Sequence, residues 1–179
     1  MQAPSPTLET LLAERAITRV MFDYARGCDR ADEAMLRGCF WPEAMVTYGS
    51  FDGLARDYVS YAMTIVGALI CGAHHISNIY IETHGDAAVA ESHYLAHHLR
   101  RAADGALDEN AFFEGRYIDR FERRDGVWKL AHRRGLRDFN FVMPGRSRAD
   151  IPDGQHSERA PLDAFYRVFD AFRVRPDAG

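Results

Sequence analysis

The chain has 179 residues, 47% of them hydrophobic and 27% charged, with a formal net charge of -4. That balance fits one globular domain with its own core and excludes a disordered chain or two full domains. It also argues against a nucleic-acid surface, because no dense basic run is present, and no stretch reaches the roughly 20 apolar residues a membrane-spanning helix needs.

Residues 7–27 carry a helical pattern in Leu8, Leu11, Leu12, Ala16, Val20, Tyr24 and Cys28, with Ser5-Pro6 as the start signal. A short second helix fits residues 31–40 and stops at Trp41-Pro42, since a residue before proline avoids the helical region. Residues 44–48 read as a strand, Asp52-Gly53 as a turn and residues 58–69 as a third helix. Strands then fit residues 76–82, 87–100, 111–124 and 127–140, the last two joined through the hairpin signal Arg124-Asp125-Gly126. Residues 102–110 are a polar loop, and 141–160, rich in Pro, Gly, Arg and Asp, read as irregular. A last helix over 162–172 would carry Phe165, Phe169 and Phe172 at helical spacing.

Helices followed by four long antiparallel strands make an α+β domain, with a twisted sheet wrapped over the helices and a pocket in the mouth of the cone. Residues 1–140 would form that domain, and 141–179 an extension packing on it or on a neighbouring subunit. Cys28, Cys39 and Cys71 are odd in number and lack metal-ligand spacing, so they read as free thiols. With an N-terminus that has neither basic start nor apolar core, a cytoplasmic protein is expected. An open sheet edge and the phenylalanine-rich tail suggest a homo-oligomer, dimer or trimer.

Six of the eight histidines lie within residues 71–100: His74, His75, His84, His93, His97 and His98. Strand alternation puts His93, Leu95 and His97 on one face and Tyr94, Ala96 and His98 on the other. A face that gathers imidazoles and lines a pocket would do proton chemistry near neutral pH.

Three segments then carry a resemblance: Tyr-Ala-Arg-Gly-Cys-Asp-Arg-Ala-Asp (24–32), His-His-Ile-Ser-Asn (74–78) and Gly-Arg-Tyr-Ile-Asp-Arg-Phe-Glu-Arg-Arg-Asp-Gly-Val-Trp-Lys-Leu (115–130). Over residues 8–140 the sequence resembles the SnoaL-like group of the nuclear transport factor 2-like (NTF2-like) superfamily, near scytalone dehydratase and lindane dehydrochlorinase. The resemblance implies the cone-shaped NTF2-like fold and chemistry without a cofactor or metal. It implies that Asp29 pairs with His74, and that Tyr48 helps activate the substrate. Tyr24, Tyr117 and Arg133 match other pocket positions. The sequence departs from the dehydratase at Cys28, which replaces a second tyrosine, and near Leu99, where a second histidine is expected; His97 or His93 would have to substitute.

A carboxylate that accepts the proton of one imidazole nitrogen fixes the tautomer and leaves the other nitrogen as a base. The catalytic candidates are therefore His74, Asp29, Tyr48 and His97, with Tyr24, Val46, His93, Tyr117 and Arg133 as substrate-binding candidates. Each also has a plainer reading. Asp29 could cap a helix, the tyrosines could be core, and Arg133 could pair with Asp138 or Glu91. His93 and His97 could be structural, or with His74 a metal set, although no His-Glu-x-x-His pattern supports metal.

The expected activity is a cofactor-independent lyase acting on a hydrophobic, aromatic, hydroxylated small molecule, by dehydration or by carbon–carbon cleavage that releases a small aldehyde such as formaldehyde. An isomerase or polyketide-type cyclase in the same pocket is the second reading. A non-catalytic ligand binder or oxygenase subunit is the third.

Overall fold

The computed structural model describes residues 6–101, 108–145, 151–152 and 155–173. Helix α1 (Leu8–Asp29) and the short α2 (Glu33–Gly38) precede strands β1 (Phe40–Tyr48) and β2 (Phe51–Leu54) and helix α3 (Ala55–Ala68). Strands β3 (Cys71–His84), β4 (Ala87–Arg100), β5 (Glu109–Arg124) and β6 (Val127–Pro144) follow, and α4 (Ala164–Arg173) comes last. One six-stranded sheet results, in the order β2-β1-β6-β5-β4-β3, with β1 parallel to β6 and every other pair antiparallel. The sheet curves without closing, and α1 and α3 pack in its concave face: this is the α+β NTF2-like cone.

The α1 N-cap is Thr7, whose hydroxyl accepts from the Thr10 N–H at 3.1 Å; Ser5 lies outside the described residues. Its buried stripe is Ala13, Ile17, Met21, Tyr24 and Cys28. Leu8, Leu11 and Leu12 are exposed, contrary to the expected pattern. At 1.5 Å per residue the helix is about 33 Å long, and its packed stripe begins only at Ala13.

Three boundaries differ from expectation for identifiable reasons. Helix α2 is capped by Asp32 and stops at Gly38, while Trp41 and Pro42 belong to β1. The β1–β6 register shifts between Phe40 and Met45, and such an irregularity is where a strand tolerates proline. The turn expected at Asp52-Gly53 falls instead at Gly49-Ser50: Gly49 has φ 60, and Tyr48 pairs with Phe51 across a two-residue hairpin. Strand β6 runs on to Pro144, through residues expected to be irregular.

Three bulges set which way side chains face, one of them in β6 at Ala131, between the pairs Arg120–His132 and Phe121–Leu130. In β3, Asn78 has φ 48 at the shift between Ser77 and Tyr80. In β6, Gly115 pairs with Arg137 but Glu114 pairs with Phe139, leaving Asp138 as the extra residue. Arg133, Gly135 and Arg137 therefore share the concave face, whereas Phe139 and Phe141 lie outside.

Behind the concave face sits a buried ion pair. Arg133 is 1% exposed and Asp119 2%. Nε and Nη2 of Arg133 donate to the two carboxylate oxygens at 2.8 and 2.6 Å. The guanidinium carbon lies 4.0 Å from the Tyr24 ring centre and 4.1 Å from that of Tyr117. The surface partners considered for it, Glu91 and Asp138, pair instead with Arg116, at 3.2 and 3.6 Å.

The segment before α4 packs on the elbow between α1 and α2. Ala160 N–H donates to Arg30 O at 2.9 Å, Arg30 pairs with Asp163 at 3.1 Å, and the Tyr166 hydroxyl donates to Asp32 at 2.6 Å. Phe165 covers the Arg26 guanidinium at 4.1 Å; the Phe169 and Phe172 side chains, like residues 102–107 of the expected loop, lie outside the described residues. Removing one partner of a buried ion pair strands the other charge, so Asp119→Ala should lower stability by about 3–5 kcal/mol in denaturant unfolding, whereas Arg133→Met with Asp119→Leu should cost much less.

Candidate active site

Helix α1 ends at Asp29, against the edge strand β3. Its carboxylate accepts twice from one residue: the His74 backbone N–H at 3.0 Å and the His74 Nδ1 at 2.6 Å. A nitrogen that close to a carboxylate carries the proton, so Nδ1–H is the donor and Nε2 keeps its lone pair. Both side chains are nearly buried, His74 at 10% and Asp29 at 15% exposure. The spacing that permits this is tertiary: 45 residues separate the partners.

His74 lines a cavity of about 400 Å³ between α1, α3 and the concave face, within the usual range for small-molecule sites. Its walls are mostly apolar and aromatic, with Tyr24, Tyr48, Tyr58, Tyr61, Phe113 and Tyr117 among them. The Tyr24 and Tyr58 hydroxyls meet at 2.7 Å. Two hydroxyls sharing one hydrogen bond leave one O–H over, available to a ligand oxygen. Burial pushes both phenols well above the ordinary tyrosine range, so both stay protonated. Tyr94 donates to Leu136 O at 3.2 Å and is bonded to Tyr48 at 3.0 Å. That contact needs glycine twice: a Cβ at Gly115 would meet the Tyr94 hydroxyl at 2.8 Å, and one at Gly135 would overlap the Tyr48 ring.

Cys28 also lines the cavity. Burial, reinforced by the nearby Asp29 charge, pushes its thiol up to about 12, so it contributes a neutral wall. All three cysteines are free.

The fold brings Asp29, His74, Tyr24, Tyr48 and Tyr117 together. It does not bring the remaining candidates with them. His93 and His97 lie on the other face of β4, because Tyr94 and Ala96 are the residues packed into the core. His97 bonds Asn110 at 2.8 Å and stacks on Phe112 at 4.8 Å. Val46 is fully buried and does not border the cavity, and Arg133 lies beneath the tyrosines in its ion pair. The three histidines weighed as a metal set are split between two faces. No cluster of three His, Cys, Asp or Glu side chains suited to a metal occurs among the described residues.

His98, Tyr58 and Arg137 also line the cavity and were not singled out from the sequence. The His98 ring lies 5.7 Å from that of His74 and 5.2 Å from Phe113, and its buried Nε2 has no partner among the described residues. The signal for it was present in β4: Ala88, Ala90, Ser92, Tyr94 and Ala96, small or aromatic at every second position, mark the packed face that His98 continues.

An α+β cone with an oriented imidazole at the wall of an aromatic cavity defines a small-molecule site of the NTF2-like class. The SnoaL-like domain matches residues 9–134, and the chain belongs to that family. Among solved structures, a candidate scytalone dehydratase from Novosphingobium aromaticivorans is 28% identical; the match covers 82% of this chain and 97% of that one, with a TM-score of 0.64. A type 2 hexachlorocyclohexane dehydrochlorinase is 22% identical, covering 82% and 98%, with a TM-score of 0.65; that likeness is one of fold. No curated protein matches the sequence significantly. No helix among the described residues is long and apolar enough to cross a membrane.

Burial, and secondarily the charge of His74, lowers the His98 pKa from 6.5 to about 4. Between those values the unfolded chain binds a proton that the native state does not, so stability should rise with pH across that window and level off above it. An imidazole NMR titration should find His98 neutral down to about pH 5, and His98→Gln should flatten the stability slope between about pH 4 and 6.5.

Proposed function

We propose that the protein is a lyase in which His74, oriented by Asp29, removes a proton from a hydrophobic, aromatic, hydroxylated substrate. The observation that carries this reading is the two-point contact between Asp29 and His74 at the wall of an open cavity. The SnoaL-like family and its dehydratase and dehydrochlorinase neighbours support lyase- or isomerase-type chemistry of this kind.

The steps follow from the geometry. With Nδ1–H held by the carboxylate, Nε2 of His74 accepts the substrate proton, and Asp29 stabilises the imidazolium that forms. A positioned general base contributes about 10²–10⁴-fold. The spare proton of the Tyr24–Tyr58 pair is placed to stabilise negative charge developing on a substrate oxygen. His98, kept neutral by burial, offers a hydrogen bond to the departing group without adding a second positive charge beside His74. Loss of water is the leading form, the proton taken up by His74 passing on to the departing hydroxide, and release of halide or of a small aldehyde starts from the same base. An open cavity and an oriented imidazole favour an enzyme over a scaffold subunit.

The test is a screen of hydroxylated aromatic compounds with product mass as readout. A mass loss equal to water, hydrogen halide or an aldehyde supports the lyase; conversion at unchanged mass replaces it with an isomerase or cyclase. On the substrate found, His74→Ala should lower kcat at least about 10²-fold with the fold intact by circular dichroism. Asp29→Asn should also lower kcat, because an amide no longer stabilises the imidazolium. Full activity in His74→Ala would eliminate the base.

A further inference from the structure

The cavity wall carries a charge pattern that general-base chemistry at His74 does not use. Two arginines line it, Arg100 and Arg137, and no Asp or Glu among the described residues does so. Arg100 is matched by Glu109 at 3.1 Å. Arg137 has no acidic partner among the described residues, and the neighbouring Asp138 is engaged with Arg116. Instead the Arg137 guanidinium lies 4.8 Å from the centre of the Phe113 ring and 5.7 Å from that of Tyr48, with the Tyr48 and Tyr94 hydroxyls beside it. Arg137 follows Arg133 and Gly135 on the concave face, opposite Gly115, and the bulge at Asp138 turns the residues after it outward.

Arg137 and His74 lie at opposite ends of the cavity. His74 is on β3 and Arg137 on β6, three strand spacings apart in the sheet order, or roughly 14 Å measured along the sheet at about 4.8 Å per strand. The concave curvature and the length of the arginine side chain leave a gap between the two functional groups that one aromatic ring system fills. A planar fork of N–H donors matches a carboxylate better than it matches a single phenol oxygen. Tyr48 ends the hydroxyl chain that runs through Tyr94 to Leu136 O, and its O–H can rotate from Tyr94 onto a ligand oxygen.

We propose that Arg137, with the Tyr48 hydroxyl, is a carboxylate-binding subsite, and that the substrate is a planar aromatic acid held by its carboxylate at this end while the opposite end meets His74. This deepens the lyase reading of the same cavity and rests on it for the identity of the reacting end. Arg137 is a specificity-determining residue here; it takes no proton from the substrate.

The experiment is binding, followed by titration calorimetry, of 2-naphthoate and of its neutral isostere 2-naphthamide to the wild-type protein, Arg137→Gln, Arg137→Lys, His74→Ala and the exposed control Arg56→Gln. The wild type should bind 2-naphthoate at least tenfold tighter than 2-naphthamide. Arg137→Gln should abolish that preference while leaving the amide's affinity within twofold, Arg137→Lys should restore part of it, and Arg56→Gln should leave it intact. His74→Ala should keep it too, so that failure of the general base and failure of the anion subsite give separate results. Equal affinity for acid and amide in the wild type, no binding of the acid, or an unchanged preference in Arg137→Gln would each overturn the proposal.

Discussion

Both carboxylate oxygens of Asp29 accept from His74, one from its backbone and one from its ring. This double contact ties the last residue of α1 to the edge strand of the sheet, and the other features of the cavity depend on it. The backbone bond fixes how deep the helix sits in the cone; the ring bond fixes the tautomer and aim of the imidazole. A single hydrogen bond between two side chains would leave both free to rotate. Here the strand's own N–H is one of the partners, so the carboxylate is anchored to the strand and holds the imidazole from a fixed position. The C-terminal segment braces the same elbow from outside, through Arg30 and Asp32.

The second constraint is electrostatic and lies below the cavity floor. A buried guanidinium is tolerable only with a good partner, and Arg133 has a two-pronged one in Asp119. With that charge matched, Arg133 serves Tyr24 and Tyr117 as a flat cationic platform, a contact worth about 0.5–2 kcal/mol per ring when desolvated. The rings are thus held from behind, and the Tyr24 hydroxyl is left for Tyr58 and for a ligand. The aromatic wall is rigid because of a charge pair that never touches the substrate site.

Much of this was legible in the sequence, and what was not shares a cause. Helix, strand and hairpin periodicities located nearly every element, and the Asp29–His74 pairing followed from the family's pattern over residues 24–32 and 74–78. Alternation along β4 correctly divided Tyr94, Ala96 and His98 from His93, Leu95 and His97. It could not say which set faces the helices, and the richer set of imidazoles proved to be the outer one. Burial of Ala88, Ala90 and Tyr94 decides the matter, because a helix packs closely only against small or flat side chains. Bulges are the other blind spot. One extra residue at Asp138 reverses the parity of everything beyond it, so Phe139, two residues after the cavity-lining Arg137, lies outside. A period-two reading carries no information about such a slip. Pro42 in β1 misled for a similar reason, since it occupies a gap in the ladder that only the register reveals.

The two faces of β4 also explain why imidazoles so close in sequence do different work. His97, outside, has an amide partner and an aromatic stack. His98, inside, has a buried nitrogen with no partner among the described residues and another imidazole 5.7 Å from its own. Two rings at that separation in a poorly solvated wall do not both carry a proton. Asp29 holds Nδ1 of His74, and burial lowers the pKa of His98. A proton on His74 makes protonation of His98 harder still. The pair is therefore asymmetric: one imidazole faces a carboxylate and the other is kept neutral by its burial. The proposed elimination would use that division, because a second cation beside the base would weaken it.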